Sequence, residues 1–238
     1  MINGQNTATS EALSLGVEDR REFLKKSYAY LIFSIIAFGA LSALLLKTGA
    51  SGAMLSALGR FKYSWLGVLG AFALIGWLAS WVAATAVSRA MQSAALAGYV
   101  FAESLFFAPL LAYCVAVQPG AIGGGIVVTG ALVGGLIWTA ANSKSDFSFL
   151  QGILKIGGLV ALGLIVASIL FGFQLGIWFS AAMIMFAGAA VLFDTAQIMK
   201  IHPVDRPIGA ALRLFSSIAL LFWYVLRFLI QSTASDDD

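Results

Sequence analysis

The sequence predicts an all-α integral membrane protein, a bundle of seven transmembrane helices. Hydrophobic residues make up 61% of the 238 residues and charged residues only 11%, against roughly 25% charged in a typical soluble domain. Seven apolar stretches are also long enough to cross a bilayer. A helix that spans about 30 Å at about 1.5 Å per residue needs about 20 mostly apolar residues.

The seven predicted spans follow one another with short breaks. They are residues 27–46, 64–87, 94–117, 120–141, 153–171, 175–198 and 209–230. Gln118-Pro119-Gly120 separates the third span from the fourth, since proline lacks an N–H and glycine opens tight turns. Gly172-Phe173-Gln174 is the weakest break, between the fifth and sixth spans. A count of six spans is therefore the alternative.

The polar segments define the domain organisation and the orientation. Residues 1–26 form a polar N-terminal segment, residues 27–231 the bundle and residues 232–238 an acidic tail. The first apolar stretch begins late and is long, which is typical of an anchor and not of a cleaved signal. Basic loop residues favour an inner N-terminus. The inner side then holds Arg20, Arg21, Lys25, Lys26, Arg89, Lys144, Lys200 and Arg206, and the outer side Lys47, Arg60 and Lys62. The short loops are typical of a bacterial inner membrane, with a cytoplasmic N-terminus.

Composition argues against most enzyme chemistry. Cys114 is the single cysteine and His202 the single histidine, which is too few for a disulfide, a zinc site or a histidine triad. The sequence contains no P-loop, dinucleotide fingerprint, GxSxG or HExxH pattern. A net charge of +3 without a basic stripe gives no reason to propose a nucleic acid partner. We expect no enzyme activity and no cofactor.

Two acids inside the predicted spans are the candidate functional residues. A charge within a span costs about 2.5–3.5 kcal/mol on insertion scales. Each acid in a span therefore calls for a structural or functional explanation. Glu103 lies near the middle of the third span with no basic residue one turn away. It must be protonated, paired with another helix or facing water. Asp194 lies near the inner end of the sixth span, where it can pair with Arg89 or Arg213. Arg213 and Arg227 are otherwise expected to anchor the ends of the seventh helix.

Glycine is abundant in the fourth span. Gly120/Gly124 and Gly130/Gly134 stand four residues apart. Glycines at this spacing share one helix face, and such faces let helix backbones approach closely in lipid. We expect these two pairs to mark close helix packing.

Four stretches together carry a resemblance to a known family. They are residues 98–110 around Glu103, the loop 143–150, the step 193–195 at Asp194, and residues 211–228 of the last span. In these stretches the chain resembles the Bax inhibitor-1 family of multispan membrane proteins. The resemblance extends from about residue 25 onward. It implies a helical bundle with the seventh helix at its centre, and a pH-sensitive calcium leak.

The resemblance also implies a latch. In relatives, two aspartates near the inner mouth share a proton and form a latch with an arginine. Asp194 matches the first aspartate, the second falls at Ser217, and the arginine corresponds to Arg89. Serine can donate a hydrogen bond but cannot share a charge. Three outcomes stay open: Asp194 pairs with Arg89 in a differently tuned latch, Glu103 supplies the second carboxylate, or the protein conducts nothing.

The leading hypothesis is therefore a calcium or cation leak in the bilayer. Asp194 is the predicted gate, Arg89 its ion partner, Glu103 a deeper acid, and Ser217 the substituted latch position. Asp194 and Glu103 are the predicted ligands, which bind calcium transiently, since calcium prefers oxygen ligands. Nearby hydroxyls from Ser104, Thr195 and Ser217 add further oxygens.

Two other classes of function remain. One is a non-conducting protein that binds and modulates another membrane protein, such as a quality-control protease, through its N-terminal segment. The other is a proton-coupled transporter of a small solute, which rests on Glu103 alone.

Overall fold

The chain is an all-α bundle in a computed structural model that describes residues 3–60, 64–85, 88–145, 147–201, 203 and 205–234. Asp146, His202 and the last four residues of the acidic tail lie outside the described residues. The described ranges contain eight helices and no strand. The helices are α1 Asn3–Lys47, α2 Ala50–Gly59, α3 Ser64–Thr85, α4 Arg89–Val117, α5 Gly120–Asn142, α6 Leu150–Phe171, α7 Ile177–Lys200 and α8 Pro207–Ala234. The predicted fold class is confirmed.

The number of crossings follows from where the helices begin and end. Within the described residues six helices are long and apolar enough to cross a membrane, namely α1 from Glu18, α4, α5, α6, α7 and α8. In α3 the apolar stretch Leu66–Val82 is shorter. The end of α1 at Leu46 shares a cleft with the start of α5, whereas Arg89 at the start of α4 lies beside Glu22 of early α1. The segment from α2 to α3 must therefore return the chain across the bundle, which supports seven crossings.

One end of the bundle is tied together by bonds to backbone carbonyls. We call it the proximal end: there α4 begins at Arg89 and α7 finishes at Lys200. Arg20 of α1 donates to the carbonyls of Ile198 at 3.4 Å and Lys200 at 3.1 Å. The Lys200 ammonium in turn donates to the Ser143 carbonyl at 2.7 Å. The loop after α5, the region of α1 around Arg20 and the start of α4 thus lie at the same end of the bundle as the C-terminal end of α7. The opposite end is called distal.

Helix α1 begins earlier than predicted. The polar segment 1–26 is helical from Asn3, because its Glu, Arg, Lys and Leu residues favour helix. Glu22 and Lys26, one turn apart, form an exposed ion pair at 2.6 Å. The predicted loop 47–63 likewise contains the short helix α2.

The break between α6 and α7 is confirmed. Helix α6 ends at Phe171, and Gly172 adopts a left-handed conformation with φ of 76°. Glycine reaches this conformation without the steric penalty of a Cβ atom. Helix α7 begins at Ile177, so the weakest predicted break separates two distinct helices.

Helix α8 is at the centre of the bundle, as the family resemblance implied. In its apolar window 56% of the residues are buried, against 6% for α6. Each of the three buried apolar clusters includes side chains of α8, among them Leu221, Leu226 and Tyr224. Because α8 has neighbours on most sides, any polar group that it carries tends to meet protein and not lipid.

The close approach between α5 and α8 lies at Gly125, and the prediction based on two glycine pairs is wrong. A Cβ atom added to Gly125 would lie 2.6 Å from Cδ2 of Leu226 on α8. At Gly124 the nearest atom would be 3.6 Å away, an ordinary contact. Apart from chain neighbours and the nearby backbone of α5 itself, no atom of the described residues lies within 4 Å of a Cβ built at Gly120, Gly130 or Gly134. The buried face of α5 instead runs through Ala121, Gly125 and Thr129, one position away from the first predicted pair.

Candidate functional site

Asp194 is held by two side chains of the central helix. Asp194 is 8% exposed. It precedes the last residue of α7, Lys200, by six residues, which is about 9 Å along the helix at about 1.5 Å per residue. Arg213 Nη2 donates to Asp194 Oδ1 at 3.0 Å. Ser217 Oγ donates to Asp194 Oδ2 at 2.5 Å. Arg213 and Ser217 stand four residues apart and therefore share one face of α8, so one carboxylate bridges α7 to a single turn of α8.

The ion partner of Asp194 is Arg213, and the choice of Arg89 is corrected. Arg89 lies at the start of α4, where it lines a proximal cleft with Glu22, Lys26 and Asp205. Arg213 is one turn before Ser217 on the helix that packs along α7, so its long side chain reaches the carboxylate. The Arg213 side chain is 49% exposed and that of Asp194 only 10%. Arg213 thus contacts the buried acid while part of the Arg213 side chain remains at the surface, as expected for a residue that anchors the end of its helix.

Ser217 occupies the position where the resemblance placed a second aspartate. The structure puts its hydroxyl in direct contact with Asp194. Two carboxylates at this separation would have to repel each other or share a proton. A serine donates a hydrogen bond to Asp194 instead, and the negative charge of Asp194 is compensated by Arg213. Residue 217 therefore contacts Asp194 as the resemblance implies for the second aspartate, but it contributes a neutral hydrogen-bond donor instead of a second carboxylate.

Glu103 is buried on α4 and bonded to a phenol. It is 4% exposed, and Tyr99 Oη, one turn earlier, donates to Glu103 Oε1 at 2.8 Å. The same Tyr99 Oη lies 2.9 Å from Ser216 Oγ on α8. Within the described part of the chain, Glu103 forms no ion pair. Of the three alternatives for this acid, the described residues show no basic partner on another helix, and they show instead a hydrogen bond from a tyrosine of the same helix.

Comparison with known proteins decides the family. Residues 20–234 match the family model described as "Inhibitor of apoptosis-promoting Bax1". The chain belongs to the Bax inhibitor-1 family. An uncharacterized protein of Pseudomonas aeruginosa is 35% identical over 125 residues, which cover 48% of this chain and 54% of the relative. This chain therefore spans about half the length of the relative it matches. Family membership and the apolar helices together make it an integral membrane protein.

The two acids of this Bax inhibitor-1 protein occupy separate hydrogen-bonded sites. Asp194 is bonded to Arg213 and Ser217, and Glu103 to Tyr99. No group of three or more His, Cys, Asp or Glu side chains that could hold a metal occurs in the described ranges. Among the described residues the hydrogen-bond partners of Asp194 are Arg213 and Ser217, and Glu103 has a different partner, Tyr99. Ser216 and Ser217, adjacent on α8, each contact one of the two sites.

The predicted accessory hydroxyls differ in their availability. Ser104 Oγ donates to the Val100 carbonyl of its own helix at 2.9 Å. Thr195 Oγ1 is buried and has no hydrogen-bond partner among the described residues. Of the two, Thr195 therefore has the hydroxyl without a partner in the described ranges.

Glu103 also lines a cavity of about 400 Å³ between α4, α6 and α8. Tyr99 and Ser216 line it together with Glu103, and Arg227 lines it as well. Arg227 Nη2 donates to the Leu175 carbonyl at 2.9 Å, in the loop before α7. Arg227 therefore marks the distal part of this space. We call it the Glu103 cavity.

Sequence reasoning missed Tyr99 and Ser216 as members of the site. Both are uncharged, so the search for intramembrane charges does not detect them. A weak signal was present: Tyr99 stands four residues before Glu103, and Ser216 precedes the latch position. Side chains at i and i+4 lie on one helix face, which makes the Tyr99–Glu103 contact foreseeable in retrospect.

Proposed function

We propose that this Bax inhibitor-1 protein is a pH-sensitive leak for calcium, with Asp194 as its gate. The observation that carries the proposal is the buried Asp194 carboxylate, bonded at once to Arg213 and Ser217 of the central helix. Buried ionisable groups in a membrane bundle are expensive, and they commonly mark ion or proton pathways. The ion pair joins α7 to α8, so it ties two spans together.

The route runs between the two acids. Glu103 and its cavity form the deeper section, and Asp194 lies at the proximal end. Ser216 and Ser217 join the sections along α8. Calcium prefers oxygen ligands. In the open route, Glu103 offers its carboxylate oxygens and the protonated Asp194 offers its carbonyl oxygen. They bind calcium only transiently, because conduction requires that an ion leave as readily as it enters.

The pH dependence follows from the ion pair. While Asp194 is ionised, Arg213 occupies its carboxylate and holds α7 against α8, and the route is shut. Protonation removes the charge that attracts Arg213. The half-exposed guanidinium can then turn to interfacial water, as long basic side chains do. Calcium flux is therefore expected to rise as the pH falls.

The proximal end is proposed to face the cytoplasm, in a bacterial inner membrane. Arg20, Arg89, Lys200 and Arg206 lie at or next to that end. Basic residues in short loops favour the cytoplasmic side. The N-terminus then lies in the cytoplasm.

Calcium flux into liposomes tests the proposal. Purified protein is reconstituted in liposomes that contain a calcium dye, and flux is measured at pH 6, 7 and 8. The wild type should conduct most at pH 6. Asp194→Asn should conduct at every pH with little pH dependence, because an amide cannot hold Arg213 by charge. Glu103→Gln should conduct less at every pH.

Two exposed acids provide matched controls. Glu18 is exposed on α1, and the Asp205 side chain is 70% exposed before α8. Glu18→Gln and Asp205→Asn should therefore retain the wild-type flux and pH dependence. Flux no greater than that of empty liposomes at any pH would contradict the proposal. So would unchanged flux in both Asp194→Asn and Glu103→Gln.

A second function is favoured by the length of α1. Its 45 residues extend about 68 Å at about 1.5 Å per residue, more than twice the hydrocarbon thickness of about 30 Å. Part of α1 must therefore lie outside the hydrocarbon layer. This arm suits a non-conducting modulator that binds another membrane protein, such as a quality-control protease.

Deletion of residues 2–19 separates the two functions. The deletion keeps Arg20, which bonds α1 to the end of α7. A modulator should lose co-purification with a membrane protease while its bundle unfolds at the same temperature as the wild type. A leak should keep its flux. Retained co-purification after the deletion would exclude the arm as the binding element.

A further inference from the structure

The Glu103 cavity has the size and the wall of a ligand site. Its volume of about 400 Å³ falls within the range of about 300–1,000 Å³ common for small-molecule pockets. Most of its wall is apolar or aromatic. Representative lining residues are Leu69, Phe106, Ile165, Ile169, Leu220 and Trp223. A space with such a wall is better filled by an organic molecule than by water.

Glu103 is the acid in this apolar wall, and it has no basic partner among the described residues. Glu103 receives a hydrogen bond from Tyr99 at Oε1, and no basic side chain of the described residues is bonded to it. An ionised carboxylate in an apolar site is costly unless a cation or several donors compensate it. A bound cation would remove that cost, so the cavity is complementary to positive charge beside Glu103.

The aromatic walls favour an organic cation over a metal ion. Phe106 and Trp223 stack with ring centroids 4.6 Å apart, and Phe107 meets Trp223 edge-on at 5.1 Å. Because Phe106 and Trp223 cover one face of each other, the ring surface that they leave to the cavity packs mainly against the apolar body of a ligand. Calcium, in contrast, takes six to eight oxygen ligands when it is held stably, and one carboxylate with a few hydroxyls cannot supply them.

Arg227 defines the orientation of such a ligand. Its guanidinium lines the cavity and donates to the Leu175 carbonyl at the distal side. A positive charge is therefore repelled at that side and attracted at Glu103. The ammonium group should point toward Glu103, with the apolar body along Phe106 and Trp223.

We infer that the Glu103 cavity binds a lipophilic ammonium ion, a monocation with an aromatic or aliphatic body. The carboxylate of Glu103 pairs with the ammonium group, and Trp223 packs against the body. The inference does not depend on calcium conduction, because binding is measured without any flux.

Two probes that differ only in charge test this inference. The probes are 4-phenylbutylamine, which is an ammonium ion at pH 7, and the neutral isostere 4-phenylbutan-1-ol. Binding to the purified full-length protein in a neutral maltoside detergent is measured by isothermal titration calorimetry. The amine should bind saturably and at least about tenfold more tightly than the alcohol, which corresponds to about 1.4 kcal/mol.

Two variants assign the binding to this cavity. Glu103→Gln should weaken the amine about tenfold and leave the alcohol unchanged. Glu18→Gln, which removes an exposed acid on α1 that does not line the cavity, should leave the affinity for both probes unchanged. Equal affinity of the two probes for the wild type would overturn the inference, because the charge of the amine would then add nothing to binding. Absence of saturable amine binding, or undiminished amine binding by a folded Glu103→Gln protein, would overturn it as well.

Discussion

Ser216 and Ser217 are consecutive on α8, yet their hydroxyls belong to two different acid sites. Ser217 Oγ donates to Asp194 on α7, and Ser216 Oγ lies 2.9 Å from Tyr99 Oη, which bonds Glu103 on α4. Consecutive residues of a helix with 3.6 residues per turn point about 100° apart. Helix α8 therefore presents one serine to each neighbour, and a rotation or shift of α8 would alter both sites together.

Loss of Arg213 should destabilise the protein more than loss of Arg89. Arg213→Gln leaves the buried Asp194 carboxylate without its charged partner, which should lower the free energy of unfolding by about 1–3 kcal/mol. Arg89→Gln should change it by no more than about 0.5 kcal/mol, because Arg89 lies in the proximal cleft. Thermal unfolding in detergent compares the two variants. An equal or larger loss for Arg89→Gln would instead support the pairing first predicted from sequence.

Restoring the second aspartate should create a pH-dependent instability. In Ser217→Asp a second carboxylate would stand beside Asp194, and the two would repel when both are ionised. The repulsion is absent when one of them is protonated, so the variant should lose stability as the pH rises from 6 to 8. Ser217→Asn has nearly the same size without the charge and should show no such loss. Unfolding temperatures at several pH values measure the difference, and parallel curves for the two variants would refute the contact.

Removal of the Tyr99 hydroxyl should cost stability, whereas removal of the Tyr28 hydroxyl should not. Tyr99→Phe deletes the bond to Glu103 and the contact with Ser216, an expected loss of about 0.5–1.5 kcal/mol for each net hydrogen bond. Tyr28 Oη is buried and has no partner among the described residues. Tyr28→Phe should thus be neutral or slightly stabilising. Comparable losses in the two variants, measured by thermal unfolding, would contradict the bonding of Tyr99.

Gly125 should tolerate alanine less well than Gly130. The new methyl group at Gly125 would meet Leu226 at 2.6 Å and Phe222 at 3.3 Å, and overpacking of this kind costs about 1–3 kcal/mol. At Gly130 the space is open among the described residues. Both variants gain the same helix propensity, so the difference in unfolding free energy isolates the clash. If Gly130→Ala proved the more harmful, the assigned buried face of α5 would be wrong.

Sequence reasoning could find the charged residues, because charges are rare within membrane spans. Glu103 and Asp194 stood out because a charge within a span is costly wherever the helix lies. Tyr99 and Ser216 carry no charge and have many other uses in a helix, so only their neighbours reveal their role. Arg89 and Arg213 were both within reach of Asp194 by span position, and the choice depended on which helix packs beside α7.

The sequence by itself determined the fold class, the six spans that the described helices match, and the two intramembrane acids. The physical reason is that the cost of placing a residue in hydrocarbon depends mainly on its own chemistry and on the length of its stretch. Tertiary structure decided the partners of those acids, the cavity at Glu103 and the contact at Gly125. A step of one residue turns a side chain by about 100° around its helix, so such contacts depend on the rotation and packing of whole helices, which hydropathy does not specify.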